Sequence, residues 1–271
     1  MLEIDTEYNN TLHYPNTTIK ITVEEHLTNN EFNYLLNIKD INLRGCSGFY
    51  RTHNITDKIF DHFNNLEKFY IDDNDIITDN GIKKLKKLED LGISNCCQIT
   101  DDGLSGLTKL VKLYIYNLSS LTDNFLKNMN NLKDLSMTFC NITDQGILSL
   151  KNIKILKVIN CKNINAIDYD KLTQLNKIEF VHCGPNDNQM IYLKNIKNIM
   201  FYGCKIDGSG FKFLENVNEL SIYESLITDE NLDFLLNLKH LNKLHIYRCY
   251  NLSFNKKSEL KQLLGNKFNT D

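Results

Sequence analysis

The chain lacks tryptophan altogether, and its 271 residues include only two prolines (Pro15 and Pro185), one alanine (Ala166) and twelve glycines. So little proline and glycine excludes a collagen-like chain or a flexible linker. Long apolar runs are missing too. None approaches the roughly 20 residues needed to span a bilayer, so no membrane segment is expected. Neither sign of charge dominates: 31 basic residues face 34 acidic ones, for a formal net charge of -3. That balance argues against a nucleic-acid binder working by bulk phosphate neutralisation. The opening residues Met1-Leu2-Glu3-Ile4-Asp5 contain no basic stretch leading into an apolar one. No secretory signal is therefore read, and an intracellular, reducing, cytoplasmic setting is expected.

What is present is self-similarity. Leu66-Glu-Lys-Phe69-Tyr-Ile71-Asp-Asp-Asn74 leads into Ile77-Thr78-Asp79-Asn80-Gly81-Ile82, and Leu88-Glu-Asp-Leu91-Gly-Ile93-Ser-Asn-Cys96 leads into Ile99-Thr100-Asp101-Asp102-Gly103-Leu104. The phrase restarts at Leu110, Leu132, Ile153, Leu175, Ile196, Val217 and Leu241, in steps of 21 or 22 residues and a last step of 24. Ile38-Lys-Asp-Ile41-Asn-Leu43-Arg-Gly-Cys46 fits upstream, and Asn16-Thr-Thr-Ile19-Lys-Ile21 is a weaker copy. About eleven units are counted in this way.

The first half of each unit alternates apolar and polar residues, the period-2 mark of a half-buried strand. The second half opens with Thr-Asp at 56–57, 78–79, 100–101, 122–123, 143–144 and 228–229. Thr is a good N-cap, and Asp in the first turn suits the positive end of a helix. Apolar pairs three apart, such as Ile82 with Leu85 and Ile147 with Leu150, then share one helical face. A strand, loop and short helix in so few residues predicts parallel strands stacked side by side with helices on the opposite face.

These phrases resemble the leucine-rich repeat family, and within it the cysteine-containing subclass, whose pattern stands almost intact at 88–104 and 132–147. The repeats here are shorter than is usual in that subclass. They also carry Asn165-Ala166, Asn186-Asp187 and Asp207-Gly208 in place of Thr-Asp, so irregular or 3₁₀ helices are expected near 166–172 and 187–193. The resemblance implies an α/β leucine-rich repeat solenoid, a horseshoe with a parallel concave sheet and short convex helices. Residues 1–15 are expected to form an N-terminal cap, 16–255 the repeats, and 256–271 a C-terminal capping helix and tail. The cap is expected to start at Ser258 as N-cap and to bury Leu260, Leu263, Leu264 and Phe268.

Seven of eight cysteines occupy one repeat position: Cys46, Cys96, Cys140, Cys161, Cys183, Cys204 and Cys249. Cys97 alone lies off it. A side chain there turns inward after the strand, where Cys serves as a small hydrophobe and weak donor to loop carbonyls. Disulfides or metal ligation are the sharper alternatives, but no C-x-x-C occurs and a reducing compartment disfavours bridges. Buried free thiols and no metal are expected.

If the fourth and sixth residues of each phrase point inward, the third, fifth and seventh form the free face of the sheet. That places Arg44, Tyr70, Asp72, Tyr114, Tyr116, Lys157, Glu179, Met200, Tyr202, Tyr223, His245 and Tyr247 there, with Phe139, His182 and Arg248 on the rim. Tyr202, Tyr223 and Tyr247 fall in one column and should form a ladder. Tyr114 and Tyr116 form a second patch, with Tyr70 nearer the N-terminal end. Aromatics suit strands for packing reasons alone, yet Tyr and Arg also supply much of the energy at protein interfaces. The step from Ile38 to Leu66 is 28 residues, and the excess around Phe49, Tyr50 and Arg51 is a second candidate contact, or tolerated loop drift.

Catalytic signatures are absent: no G-x-x-x-x-G-K-[ST], G-x-S-x-G, H-E-x-x-H or dinucleotide fingerprint occurs. Ser209, in Asp207-Gly208-Ser209-Gly210, has no His placed beside it by the repeat. Asp72-Asp73-Asn74-Asp75 lacks the later Gly and Glu of a calcium loop. The expectation is a non-catalytic, cofactor-free, monomeric module that recognises another protein through the concave face, binding neither nucleic acid nor membrane. The resemblance also reaches the substrate-selecting repeats of F-box proteins. The N-terminal stretch is too short for an F-box, so a cullin-type ubiquitin ligase role would act through another chain. An unrecognised enzyme is the alternative of another class.

Overall fold

A computed structural model describes residues 38–43 and 55–270, together with the backbone of residues 3–4, 18–19 and 21–22. Three two-residue strands come first: β1 (Glu3–Ile4), β2 (Thr18–Ile19) and β3 (Ile21–Thr22). Then one strand falls on each repeat phrase: β4 (Asp40–Leu43), β5 (Lys68–Asp72), β6 (Asp90–Ser94), β7 (Lys112–Tyr116), β8 (Asp134–Thr138), β9 (Ile155–Ile159), β10 (Lys177–Val181), β11 (Asn198–Tyr202), β12 (Glu219–Tyr223) and β13 (Lys243–Tyr247). A last strand, β14 (Phe268–Thr270), follows the C-terminal helix. The weak copy at 16–21 does supply a strand, because β2 pairs parallel with β4, Ile19 opposite Ile41. The rest of the predicted N-terminal cap and the segment of Arg44, Cys46, Phe49, Tyr50 and Arg51 lie outside the described residues.

The chain divides into two compact units, the boundary running through β8. In the first, β2, β4, β5, β6 and β7 lie side by side in chain order, all parallel. In the second, β9 to β14 do the same. Pairing is in register, so one repeat position forms one column. Alternation decides which columns are buried: Phe69 and Ile71, Leu91 and Ile93, Phe180, Phe201 and Ile222 are fully enclosed. Phe180 and Phe201 stack at 5.9 Å in the second unit. The returning segments meet these side chains with Ile82, Leu85, Ile147 and Leu150, all buried as the three-residue spacing requires.

The returning segments are α-helical at Asp79–Ile82, Asp101–Leu104, Asp144–Leu148 and Asp233–Leu236, and 3₁₀ at Asp57–Asp61, Phe125–Asn128, Tyr169–Lys171, Asp187–Leu193, Phe211–Phe213 and Asp229–Asn231. The irregularity expected where Thr-Asp is replaced is found, with Ala166 and Asp168 in the left-handed region at φ 59° and 65°. Thr78, Thr100 and Thr143 cap their helices by accepting from the N–H two residues on. Thr228 makes no such bond.

The Asp of Thr-Asp stands in the first helical turn as expected, at Asp79, Asp101 and Asp144. Its carboxylate also reaches the next repeat. Asp57 accepts from the Thr78 N–H at 2.8 Å and the Thr78 hydroxyl at 2.6 Å, and Asp79 does the same for Thr100 at the same distances. Asp101 accepts from Thr122 in turn. In the second unit Asp144 takes the N–H groups of Asn165 and Ala166, and Asp187 those of Asp207, Gly208 and Gly210. A neighbouring repeat therefore satisfies amides that a single helix leaves orphaned at its start.

This ladder explains the glycine of the Thr-Asp-x-Gly phrase. A β-carbon on Gly81 or Gly103 would collide with the carboxylate of Asp57 or Asp79. Exposed Gly to Ala changes in helices ordinarily stabilise. Gly103→Ala is expected to do the reverse, lowering the unfolding free energy by about 1–3 kcal/mol through overpacking. Urea denaturation reads this directly, and unchanged or raised stability would contradict it.

The C-terminal cap differs from expectation in three respects. Its helix spans Phe254–Leu264, and Ser253, not Ser258, is the N-cap, accepting from the Lys256 N–H at 3.1 Å. Leu260 is buried but Leu263 is 59% exposed. Phe268 is buried as expected, but the tail that carries it forms β14, which pairs parallel with β13. Backbone pairing thus continues past β13, which the helical reading of this segment did not include.

Candidate functional site

The side chains opposite the core columns form the free face of each sheet. In the second unit the fifth strand residue gives the column Ile159, Val181, Tyr202, Tyr223, Tyr247, each directly opposite the next. The tyrosine ladder expected from the sequence is present. Tyr202 and Tyr223 stack at 5.8 Å and Tyr223 and Tyr247 at 5.6 Å, with interplanar angles of 25° and 9°. His182 meets Tyr202 edge-on at 5.4 Å, and His245 lies 6.4 Å from Tyr247. All three tyrosines are half-buried, walled by one another and open on top.

In each unit the residue after the strand forms a rim column: Asp73, Asn95, Asn117 and Phe139 in the first, and Asn160, His182, Gly203, Glu224 and Arg248 in the second. Every one is left-handed, with φ between 50° and 60°. At Asp73, Asn95, Asn160, His182, Gly203 and Glu224 the rim N–H donates to the last carbonyl of the next strand, as His182 does to Tyr202 at 2.8 Å and Glu224 to Tyr247 at 3.1 Å. Asn, Asp and Gly tolerate that conformation; Phe139, Glu224 and Arg248 carry strain there.

Glu224 and Arg248 are tied to the ladder. The Tyr202 hydroxyl donates to Glu224 Oε1 at 2.9 Å, and Arg248 Nη1 donates to the same oxygen at 3.1 Å. The Arg248 guanidinium and then the Tyr202 hydroxyl hold the Glu224 carboxyl below the usual carboxylate range. The same bond pushes the Tyr202 phenol up. Sequence reasoning missed Glu224, though it shares the column of His182 and Arg248. It also missed Ile159 and Val181, which extend the tyrosine column. On the strand-position-three column, Glu179 accepts Lys177 at 2.7 Å and pairs with Lys157 at 3.4 Å, and Met200 follows beside them.

The first unit carries its own aromatics. Tyr70, nearer the N-terminal end, reaches the second patch: its ring lies 6.4 Å from that of Tyr114 although β6 runs between them. Gly92 occupies that column on β6, and a β-carbon there would strike the Tyr70 ring. The missing side chain lets Tyr70 lean across. Tyr116 meets Phe139 edge-on at 5.8 Å, and both are exposed, at 42% and 49%.

The cysteine column is not a reactive centre. Among the described residues all cysteines are free, Cys97 is exposed, Cys183 half-buried and the rest buried. Their sulfurs donate to backbone carbonyls, Cys96 to Ser94 at the end of β6 at 3.1 Å and Cys204 to Cys183 at 3.1 Å. Where the slot holds Asn74, its amide bonds the Ile55 carbonyl and the Ile76 and Ile77 N–H groups instead. Burial pushes the Cys96 and Cys204 thiols up to about 12. These thiols are raised, so they stay protonated until far above neutral pH, and alkylation, which needs the thiolate, is slow. A thiol reagent at about pH 8 is expected to label Cys97 at once and Cys96 and Cys204 only after unfolding. Rapid native labelling of either buried thiol would contradict this. No group of three or more His, Cys, Asp or Glu side chains among the described residues could hold a metal ion. Among them also, no helix is long and apolar enough to cross a membrane.

Known proteins provide an independent comparison. The family described as "Leucine Rich repeat" matches residues 63–86, 85–107 and 128–151. Among solved structures, an internalin (inlF) from Listeria monocytogenes superposes with a TM-score of 0.66, at 22% identity, over 93% of this chain and 79% of that one. The fold is that of a leucine-rich repeat solenoid. The plant peptide hormone receptor RGFR1 in complex with RGF2 is 17% identical, over 68% of this chain and 32% of that one, at a TM-score of 0.46. This chain therefore spans about a third of that receptor chain. No curated protein matches it. In the solenoid's terms, each free-face column is the same position of successive repeats. The tyrosine ladder is one such column.

Proposed function

We propose that this solenoid is a non-catalytic module that recognises another protein, and that the ladder of Tyr202, Tyr223 and Tyr247, with His182, His245 and Arg248 around it, is its main contact. The observation that carries the reading is a strained support for a half-buried aromatic row that is open on top. Glu224 and Arg248 stand where Asn or Gly would cost less; Glu224 accepts from the Tyr202 hydroxyl, and Arg248 donates to the same Glu224 oxygen. Stability alone does not favour that choice. Tyr offers a large contact area with few rotors to freeze, which suits it to interface anchors. The free sheet face is the extended surface such arrays use for binding. Tyr70, Tyr114 and Tyr116 form a separate contact area on the first unit, and Arg44, Phe49, Tyr50 and Arg51 a further candidate outside the described residues.

The test is capture of a partner from the source cell by the full chain, against capture by the triple variant Tyr202→Ala, Tyr223→Ala, Tyr247→Ala. Loss of the partner with a retained cooperative unfolding transition is the expected outcome. Undiminished capture by the folded triple variant would remove the ladder from the site.

A further inference from the structure

We infer that the second unit's apolar stripe receives a single amphipathic α-helix of the partner, laid along the column Ile159, Val181, Tyr202, Tyr223, Tyr247. This rests on the recognition reading above and specifies the partner's chemistry. The stripe is one residue wide and crosses five paired strands in register. Its rungs are 5.6 and 5.8 Å apart between rings, and about 4.8 Å apart where the rungs are aliphatic. Its length is therefore about 21 Å.

An α-helix advances about 5.4 Å per turn, and residues at i, i+4, i+7 and i+11 place roughly one side chain per turn on one face. Those four positions span about 16 Å, and the first and last of the four gaps between the five rungs are also about 16 Å apart, so each helix knob finds a gap between rungs along the whole stripe. An extended strand repeats its side-chain direction every ~6.7 Å and would gain about 27 Å over four steps, losing register by a full rung. A polyproline II segment repeats every ~9.3 Å and would skip rungs.

Charge points the same way. Around the stripe Glu179 is closed by Lys157 and Lys177, Glu219 by Lys243 at 2.6 Å, and Glu224 by Arg248. With these acids already paired, the face complements an apolar stripe with weakly charged flanks, not a highly charged segment. Met200 beside the column adds adaptable apolar surface.

Two displayed libraries test the inference against the full chain. One presents single helices randomised at i, i+4, i+7 and i+11; the other presents linear peptides barred from helix by proline. Expected are binders from the helical library whose Kd rises at least about tenfold with Tyr223→Ala and with Val181→Asp. Their Kd should change less than about threefold between roughly 50 and 500 mM salt. Should Val181→Asp fail to fold, Tyr247→Ser at the other end of the stripe serves in its place. Ladder-dependent binders from the linear library alone would overturn the helix and keep the recognition face. No binders from either library, or binders indifferent to these changes, would count against both.

Discussion

Phe201→Ala is expected to lower the unfolding free energy by about 3–5 kcal/mol. Phe201 is fully enclosed in the second unit and stacks on Phe180 at an interplanar angle of 10°. Its neighbours on both sides, Phe180 and Ile222, are held at fixed spacing by backbone pairing on either side of β11. They cannot close over the void without breaking register, so the cavity persists and its cost adds to the lost burial. Chemical denaturation gives the value. Ser221→Ala, on the opposite face of β12, serves as the control and should change stability by less than about 0.5 kcal/mol. A loss below about 1 kcal/mol at Phe201 would mean that the core does not run through this column.

The second large effect is on binding. Tyr223 is the middle rung, with a ring on each side. Removing it costs stability only through two cross-strand pairs, each worth about 0.2–1 kcal/mol. A central aromatic anchor costs about 2 kcal/mol or more of affinity when truncated, which is a rise in Kd of roughly thirtyfold. Tyr223→Ala should therefore weaken the captured partner far more than it weakens the fold. Tyr223→Phe keeps the stack and should retain most of the affinity. If Tyr223→Ala lost stability but not affinity, the ladder would be sheet packing and no more.

Much of the fold was legible because each strand's period-2 alternation and each helix's three-residue apolar spacing lie within one repeat. Tyr202, Tyr223 and Tyr247 could be aligned by position alone. What escaped the sequence lies between repeats. The contact of Tyr70 with Tyr114 depends on a missing side chain at Gly92, one strand away. The Asp57 and Asp79 carboxylates bond a Thr 21 residues later, so their local reading as helix-end charges was incomplete. Glu224 was passed over because its value depends on a left-handed turn that aims it at the neighbouring Tyr202. At the C-terminus, the helix starts at Ser253, five residues before the Ser258 read from the sequence, and the tail that carries Phe268 pairs as β14 with β13.

Hydroxyl-radical footprinting of the chain alone and in complex with its captured partner tests the proposed surface most directly. Modification of Tyr202, Tyr223 and Tyr247 should fall on complex formation, while Tyr192, on the helical side of the same unit, keeps its reactivity. Protection of Tyr192 with the three ladder tyrosines unchanged would place the partner elsewhere and contradict the assignment.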